Sequence, residues 1–482
     1  MQALTGLDSS FLYLETPNMP MHVGGLDIYE GSLTFEEFRD FLAKRIHLAP
    51  RLRQRLVEVP MSIDHPYWID DPDFNIELHL QHTALPKPGD WKQLRRVTSH
   101  AFSQPLNRTR PLWEFIFVEG LDNIPQVPKG SVAVISKIHH AAIDGASGAE
   151  MLGLLFDATK EPREVPPEQP RKIEAIPSDI NLLYKSTMNY VKRPFRLPGL
   201  LYETAKSTIA AGKISRVQPS DVPRTIMNAP RTILNQPVSA ERKWDTALLS
   251  LPRIKALKNA VEGATLNDVV MAICTGALRR YLLEKDELPK KPLIAMVPVS
   301  TRTNDEKGDM GNQVSAMLIQ LPTDEEDPVA QLTRLQANTK RGKQYQGAIG
   351  AKQMTEYADF VPFGLGAQAA RLYTRMNVSK YHAPIFNLVI TNVPGPQIPL
   401  YMNGKKMLAH MGMAPIFDGM GLILPVFSYN GVLSISPTSS ANIMPDVSKF
   451  SRYLRESANT LEEAVLALEK EKMPKEAATE KK

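Results

Sequence analysis

The chain has 482 residues, of which 43% are hydrophobic and 23% charged, with a formal net charge of +5. That length is too great for one ordinary core and suits two packed domains, while so mild a charge makes no demand for nucleic acid. The one cysteine, Cys274, lies in the apolar run VVMAICTGAL; it cannot bridge internally and reads as a small buried hydrophobe, not a nucleophile.

Nothing in the chain approaches the roughly 18 uncharged apolar residues of a membrane span. The start, MQALTGLDSS, lacks the basic and apolar regions of a signal peptide. A cytoplasmic location is the resulting expectation.

Residues 1–160 mix helix and strand signals. Thr34 with Glu37 forms a capping-box pattern ahead of Phe35, Phe38, Phe41, Leu42 and Ile46, which predicts an amphipathic helix. The β-branched run from Ser131 to Ile138 predicts a strand, and AEMLGLLFDA after Gly145 returns to helical spacing. From 161 to about 240 prolines crowd the start, as in EPREVPPEQP, which predicts a linker with broken helices. Between Asn181 and Arg216, Lys185, Lys192, Arg193, Arg196, Lys206, Lys213 and Arg216 face a single acid, Glu203, among scattered apolar residues. Two readings stand: a solvated crossover, or a segment that touches anionic lipid.

The third block, 241–470, contains a helix capped by Thr265, with Asp268 in its first turn and Arg279 and Arg280 near its end, charges that suit the helix dipole. Strands are predicted at LIAMVPVS, VSAMLIQL, FNLVITNV and GVLSISP, and a final helix from about Val447 to Glu469. The charged end, 471–482, is expected to be disordered. This order of elements predicts mixed α/β sandwiches in both halves.

The stretch with most chemistry is Lys137-Ile138-His139-His140-Ala141-Ala142-Ile143-Asp144-Gly145. Adjacent strand residues point to opposite faces. If the strand geometry holds to its end, His140 continues the phase of Val132, Val134 and Ile138, and His139 shares that of Lys137. His140 is then the better general base, because an imidazole titrates near working pH, and His139 a supporting residue. Asp144 suits orienting the imidazole or fixing the loop through a cation, and Gly145 suits a tight turn. No G-x-S-x-G elbow occurs, so direct transfer is favoured over a covalent intermediate. No further cluster of histidine or cysteine completes a metal site.

The ordered set LDSSFLYLETPNMPMHVG, PLW (Pro111 to Trp113), HHAAIDG, NDVV (Asn267 to Val270), PVSTR (Pro298 to Arg302), GNQVS (Gly311 to Ser315), TNVPGP (Thr391 to Pro396) and FSYNG with a later PD spans nearly the whole chain. It resembles the bacterial wax ester synthase/diacylglycerol acyltransferase family, itself similar to the CoA-dependent acyltransferases that include peptide-synthetase condensation domains. The resemblance implies two chloramphenicol-acetyltransferase-like α/β domains, a helical crossover and an active-site tunnel between them. It implies an O-acyltransferase that moves a long-chain acyl group from acyl-CoA to a fatty alcohol or diacylglycerol, with His140 as base in the HHxxxDG motif and no cofactor, acyl-CoA being a substrate. Asp144 would pair with Arg302, and Asn267 and Asp268 would help hold substrate or the developing oxyanion; helix capping explains the same two residues structurally.

Trp113 and His22 are expected to be packed, and the Pro394-Gly395-Pro396 turn to be a rigid loop beside the tunnel. Thr391 stands where the family usually has serine, and LILPV (Leu422 to Val426) and SISPTSSANIMPD depart from its pattern. Peripheral association with a membrane or lipid droplet is a further expectation. Two other functions fit the same scaffold: a condensation-type transferase fed by a carrier protein, and a non-catalytic lipid-binding or droplet-coat protein.

Overall fold

The computed structural model describes residues 1–143, 145–169, 176–192, 229–300, 314–348 and 363–479. Asp144, Arg302 and most of the basic crossover lie outside these residues. The described chain is a mixed α/β structure built on two main sheets.

The first sheet has six strands in the order Tyr401–Met402, Lys405–Met413, His22–Tyr29, Val132–His139, Trp113–Glu119 and Leu80–Ala84. Its centre is Val132–His139, paired antiparallel with His22–Tyr29 on one side and Trp113–Glu119 on the other. Alternation along this strand sends Val132, Val134 and Ile138 into one apolar cluster and Ala133 and Ile135 into another. Both faces are therefore buried. Lys137 interrupts the pattern and is itself buried; its Nζ lies 2.8 Å from the Glu114 carboxylate directly across the strand pair.

The second sheet has eight strands, with a path from Val314–Leu321 through Leu293–Ser300, Leu388–Pro394, Leu422–Tyr429 and Val432–Ile435 to Ala247–Ser250. Thr438–Ser440 and Arg242–Trp244 complete it. Against it packs Leu266–Glu284, whose Thr265 and Asp268 form a full capping box. This helix runs one turn past Arg280 to Glu284, so the two arginines act through partners instead of the helix end. Arg279 donates to the Thr323 carbonyl at 2.9 Å, and Arg280 pairs with Glu456. Cys274 is fully buried on the same helix, and burial pushes its thiol up to about 12. The last helix continues to Thr479, through most of the end expected to be disordered.

Three devices lock the halves together. The strand Lys405–Met413 leaves the second half and pairs with His22–Tyr29, closing what would be an edge of the first sheet. Met19 and Met21 from the N-terminal segment sit in the core of the second half. The buried Arg242 donates to the Asn18 carbonyl at 2.6 Å and to the Ser239 carbonyl at 2.6 Å. No helix among the described residues is long and apolar enough to cross a membrane.

Candidate active site

The central strand of the first sheet ends at His139, and the chain then turns, with the Ala142 N–H donating back to the His139 carbonyl at 2.8 Å. His140 lies in this turn, not on the strand, so its direction is set by the turn and its neighbours and not by strand alternation. The outcome still separates the two histidines sharply. His139 is 0% exposed, whereas His140 is only half-buried.

His139 has a protein group at each ring nitrogen, one hydrogen-bonded and one only close. Nδ1 accepts the Ala141 N–H at 3.1 Å, which puts the ring proton on Nε2. Nε2 faces Glu15 Oε1 at 3.6 Å, a polar contact longer than a hydrogen bond. Glu15 is itself well held: Oε1 accepts the Met21 N–H at 3.1 Å, and Oε2 accepts from Arg108 Nε at 2.8 Å and Nη2 at 2.6 Å. Burial would raise this carboxyl, but the His139 ring, the Arg108 guanidinium and the Met21 amide overrule it and hold it at about 2.

His140 is fixed differently. Its N–H donates to the Met21 carbonyl at 2.8 Å, and its ring stacks on Phe11 with centroids 3.9 Å apart and planes 7° from parallel. Phe11 in turn packs against the second half's core. The following Ala141, Ala142 and Ile143 share a cluster with Phe427 and Tyr429 of the second sheet. The histidine turn thus sits on the seam between the halves. Gly145 opens the helix Gly145–Leu155, which packs on the strand Leu388–Pro394.

From the other half, Asn267 stands half-buried in the first turn of Leu266–Glu284, and its Oδ1 accepts from Asn392 Nδ2 at 3.4 Å. Asn392 belongs to Leu388–Pro394, the strand against which the post-histidine helix packs. Asp268 is occupied by its helix: Oδ2 accepts the Thr265 N–H at 2.9 Å and its hydroxyl at 2.6 Å. Among the predicted packed residues, Trp113 is buried with Nε1 donating to the Leu52 carbonyl at 2.6 Å. His22 is buried against Phe102 with Nε2 3.0 Å from its carbonyl, and burial together with the charge of Lys137 drives its ring well below the ordinary histidine value. Gly395 abuts the Phe427 ring and hydrogen-bonds the Ser428 carbonyl at 3.0 Å.

Residues 4–270 match the wax ester synthase/diacylglycerol acyltransferase catalytic domain, and residues 310–462 match the WS/DGAT C-terminal domain. The chain belongs to this family. A putative diacylglycerol O-acyltransferase of Mycobacterium tuberculosis is 32% identical over 452 residues, covering 93% of this chain and 87% of that protein. A probable diacylglycerol O-acyltransferase of the same species is 32% identical over 472 residues, covering 95% of this chain and 98% of the relative. The wax ester synthase/diacylglycerol acyltransferase from Marinobacter aquaeolei VT8 superposes with a TM-score of 0.68 at 26% identity, covering 96% of this chain and 100% of that one. The first condensation domain of the calcium-dependent antibiotic synthetase shares the fold, with a TM-score of 0.57 at 14% identity over 96% of both chains. This protein is an acyltransferase of the wax ester synthase/diacylglycerol acyltransferase type.

Sequence reading did not single out Phe11, Glu15, Arg108 or Asn392. Phe11 and Glu15 lie four apart in LDSSFLYLE, the spacing of one helix face, which was the only local signal. A cleft of about 430 Å³ reaches the outer side of Glu15, lined among others by Tyr13, Arg108, Phe363 and Gln368. Another of about 710 Å³, lined by Asp40, Lys44, His47 and Arg163, includes neither His139 nor His140 and lies away from this chemistry.

Proposed function

We propose that His140 is the general base in direct transfer of a long-chain acyl group from acyl-CoA to a fatty alcohol or a diacylglycerol, forming wax ester or triacylglycerol. One observation carries this reading: of the two adjacent histidines at the seam, His139 is fully buried and His140 is half-buried. The acceptor hydroxyl gives its proton to that ring as its oxygen bonds the thioester carbonyl carbon. The carbon–sulfur bond then breaks, and the CoA thiolate takes the proton from the imidazolium. Both substrates meet in a passage between the halves. Asn267, whose Oδ1 faces Asn392, has amide hydrogens to offer the developing oxyanion, and Asp268 serves by capping the helix that carries it.

Asp144 and Arg302 complete the reading as a structural pair across the seam, Gly145 as the residue that starts the following helix, and His139 as support. Direct transfer needs no resident cofactor and no metal. Cys274, buried and with its thiol pushed up to about 12, is a poor alternative nucleophile. The blocks 1–160 and 241–470 act as the two acyltransferase-like domains and 161–240 as their connection. Replacing His140 with Ala should lower ester formation from acyl-CoA and hexadecanol, or from acyl-CoA and diolein, by roughly 10² to 10⁴. Retained turnover in a folded variant removes His140 from the role.

The acceptors are lipids, and the enzyme meets them from the cytoplasmic side of a membrane or inclusion surface. Helix Asp179–Lys192 buries Leu182 but leaves Ile180, Tyr184 and Met188 exposed at four-residue spacing beside the exposed Lys185. It packs on the turn that carries the exposed Met61, which also contacts helix Phe363–Arg375 with its exposed Leu365, Leu372, Arg371 and Arg375. Apolar side chains among cations suit an anionic lipid surface. Flotation should recover the protein with phosphatidylglycerol vesicles at low salt and less at high salt. Absence of binding at either salt concentration overturns the lipid-surface reading.

A further inference from the structure

The same short N-terminal element touches both histidines. Phe11, on helix Gly6–Leu14, covers the ring of His140 in a parallel stack at 3.9 Å. Glu15, the residue that ends this helix, faces the ring of His139 at 3.6 Å. Between them Met21 is bonded twice, its N–H to Glu15 Oε1 and its carbonyl to the His140 N–H. Glu15 therefore reaches His140 by two routes, through the His139 ring into the Ala141 amide and through the Met21 peptide. Arg108 closes the arrangement from the far side by holding Glu15 Oε2 and the Leu12 carbonyl, the latter at 2.6 Å.

We propose that Phe11 and Glu15 form a clasp that positions His140: Phe11 sets the plane of its ring, and Glu15 holds the turn beneath it through His139 and Met21. Glu15 is a positioning residue and does not touch substrate. A carboxylate here costs a buried charge, offset by Arg108, and an uncharged core at this point would need neither group. What the pair supplies is a fixed orientation for an imidazole that must accept a proton during attack, where a misplacement of about 1 Å costs on the order of 10²-fold in rate.

The inference rests on His140 being the base, so the variants are measured together. Wild type, Glu15→Gln, Phe11→Leu, His139→Ala, His139→Ala/Glu15→Gln and His140→Ala are assayed with acyl-CoA and hexadecanol, with thermal unfolding to check that each is folded. Glu15→Gln should lower kcat by roughly 10- to 100-fold while KM for both substrates stays within about twofold, because orientation and not binding is lost. Added to His139→Ala, it should cost clearly less than it does alone, since the two act along one route. A kcat within about twofold of wild type in Glu15→Gln, alongside an inactive His140→Ala, overturns the clasp and leaves the base intact. An active His140→Ala overturns both. If Glu15→Gln is unfolded at the assay temperature, Phe11→Leu decides, and an unchanged kcat there overturns the clasp.

Discussion

Acid should reveal what Glu15 contributes to the folded state. Its carboxyl falls from an ordinary 4.5 to about 2 because His139, Arg108 and the Met21 amide outweigh its burial. A carboxyl depressed on folding adds stability that is complete above the unfolded value and disappears as pH falls through the folded one. At about 1.36 kcal/mol per pH unit, the gap is worth roughly 3 kcal/mol at neutral pH. It shrinks to roughly 1 kcal/mol at pH 3 and is mostly gone by pH 2. Glu15→Gln has no such proton to lose, so its deficit against wild type should follow that curve. Urea unfolding at pH 7, 4 and 3, followed by tryptophan fluorescence, measures the difference; Trp113 and Trp244 are fully buried and report it. A deficit that is constant or growing toward acid would refute the argument.

Two further substitutions test the frame around the site. Arg45 and Asp157 form a buried pair at 3.1 Å, and Arg163 Nε lies 3.6 Å from the same carboxylate. Arg45→Met should cost roughly 3 kcal/mol by removing the closer, buried cation and leaving Asp157 only the longer contact. The Arg45→Met/Asp157→Leu double variant should regain most of that, read from thermal midpoints; additive losses would contradict it. A Cβ on Gly395 would lie 2.2 Å from the Phe427 ring and 2.6 Å from the Ser428 carbonyl oxygen. Gly395→Ala should therefore destabilise by about 1–3 kcal/mol, and an unchanged melting temperature would contradict the close contact.

Local rules carried much of the fold. The capping boxes of Thr34 with Glu37 and Thr265 with Asp268 were readable because both partners lie within one turn. The β-branched runs became the strands Val132–His139, Leu293–Ser300 and Val314–Leu321 for the same reason. What escaped was non-local. Nothing near 405–413 signals that this strand pairs with His22–Tyr29, far back in the chain. Glu15 carries no local signal of its role because its partners, Arg108 and His139, are remote in sequence. The alternation argument for His140 extended the strand one residue too far. It distinguished the two rings, yet the turn and Phe11 determine where His140 goes. Asp144, Arg302 and the cationic residues from Arg193 to Arg216 lie outside the described residues.

The two family spans also explain why this site needs the whole chain. The catalytic-domain span, 4–270, ends inside helix Leu266–Glu284 just after Asn267, so it includes the histidine turn and the capped amide but only part of the second sheet. The strand Lys405–Met413, which covers the edge of His22–Tyr29, falls within the C-terminal span, 310–462. His22–Tyr29 is the strand that fixes Val132–His139 on one side, and Met21 beside it holds the His140 amide. An uncovered edge would loosen the support of both histidines while leaving every residue of the HHAAIDG stretch present. The motif is thus local in sequence, and the rigidity that makes it useful is not. It comes from a strand contributed by the other half, from Phe11 wedged against the opposite core, and from a carboxylate held by an arginine across the chain.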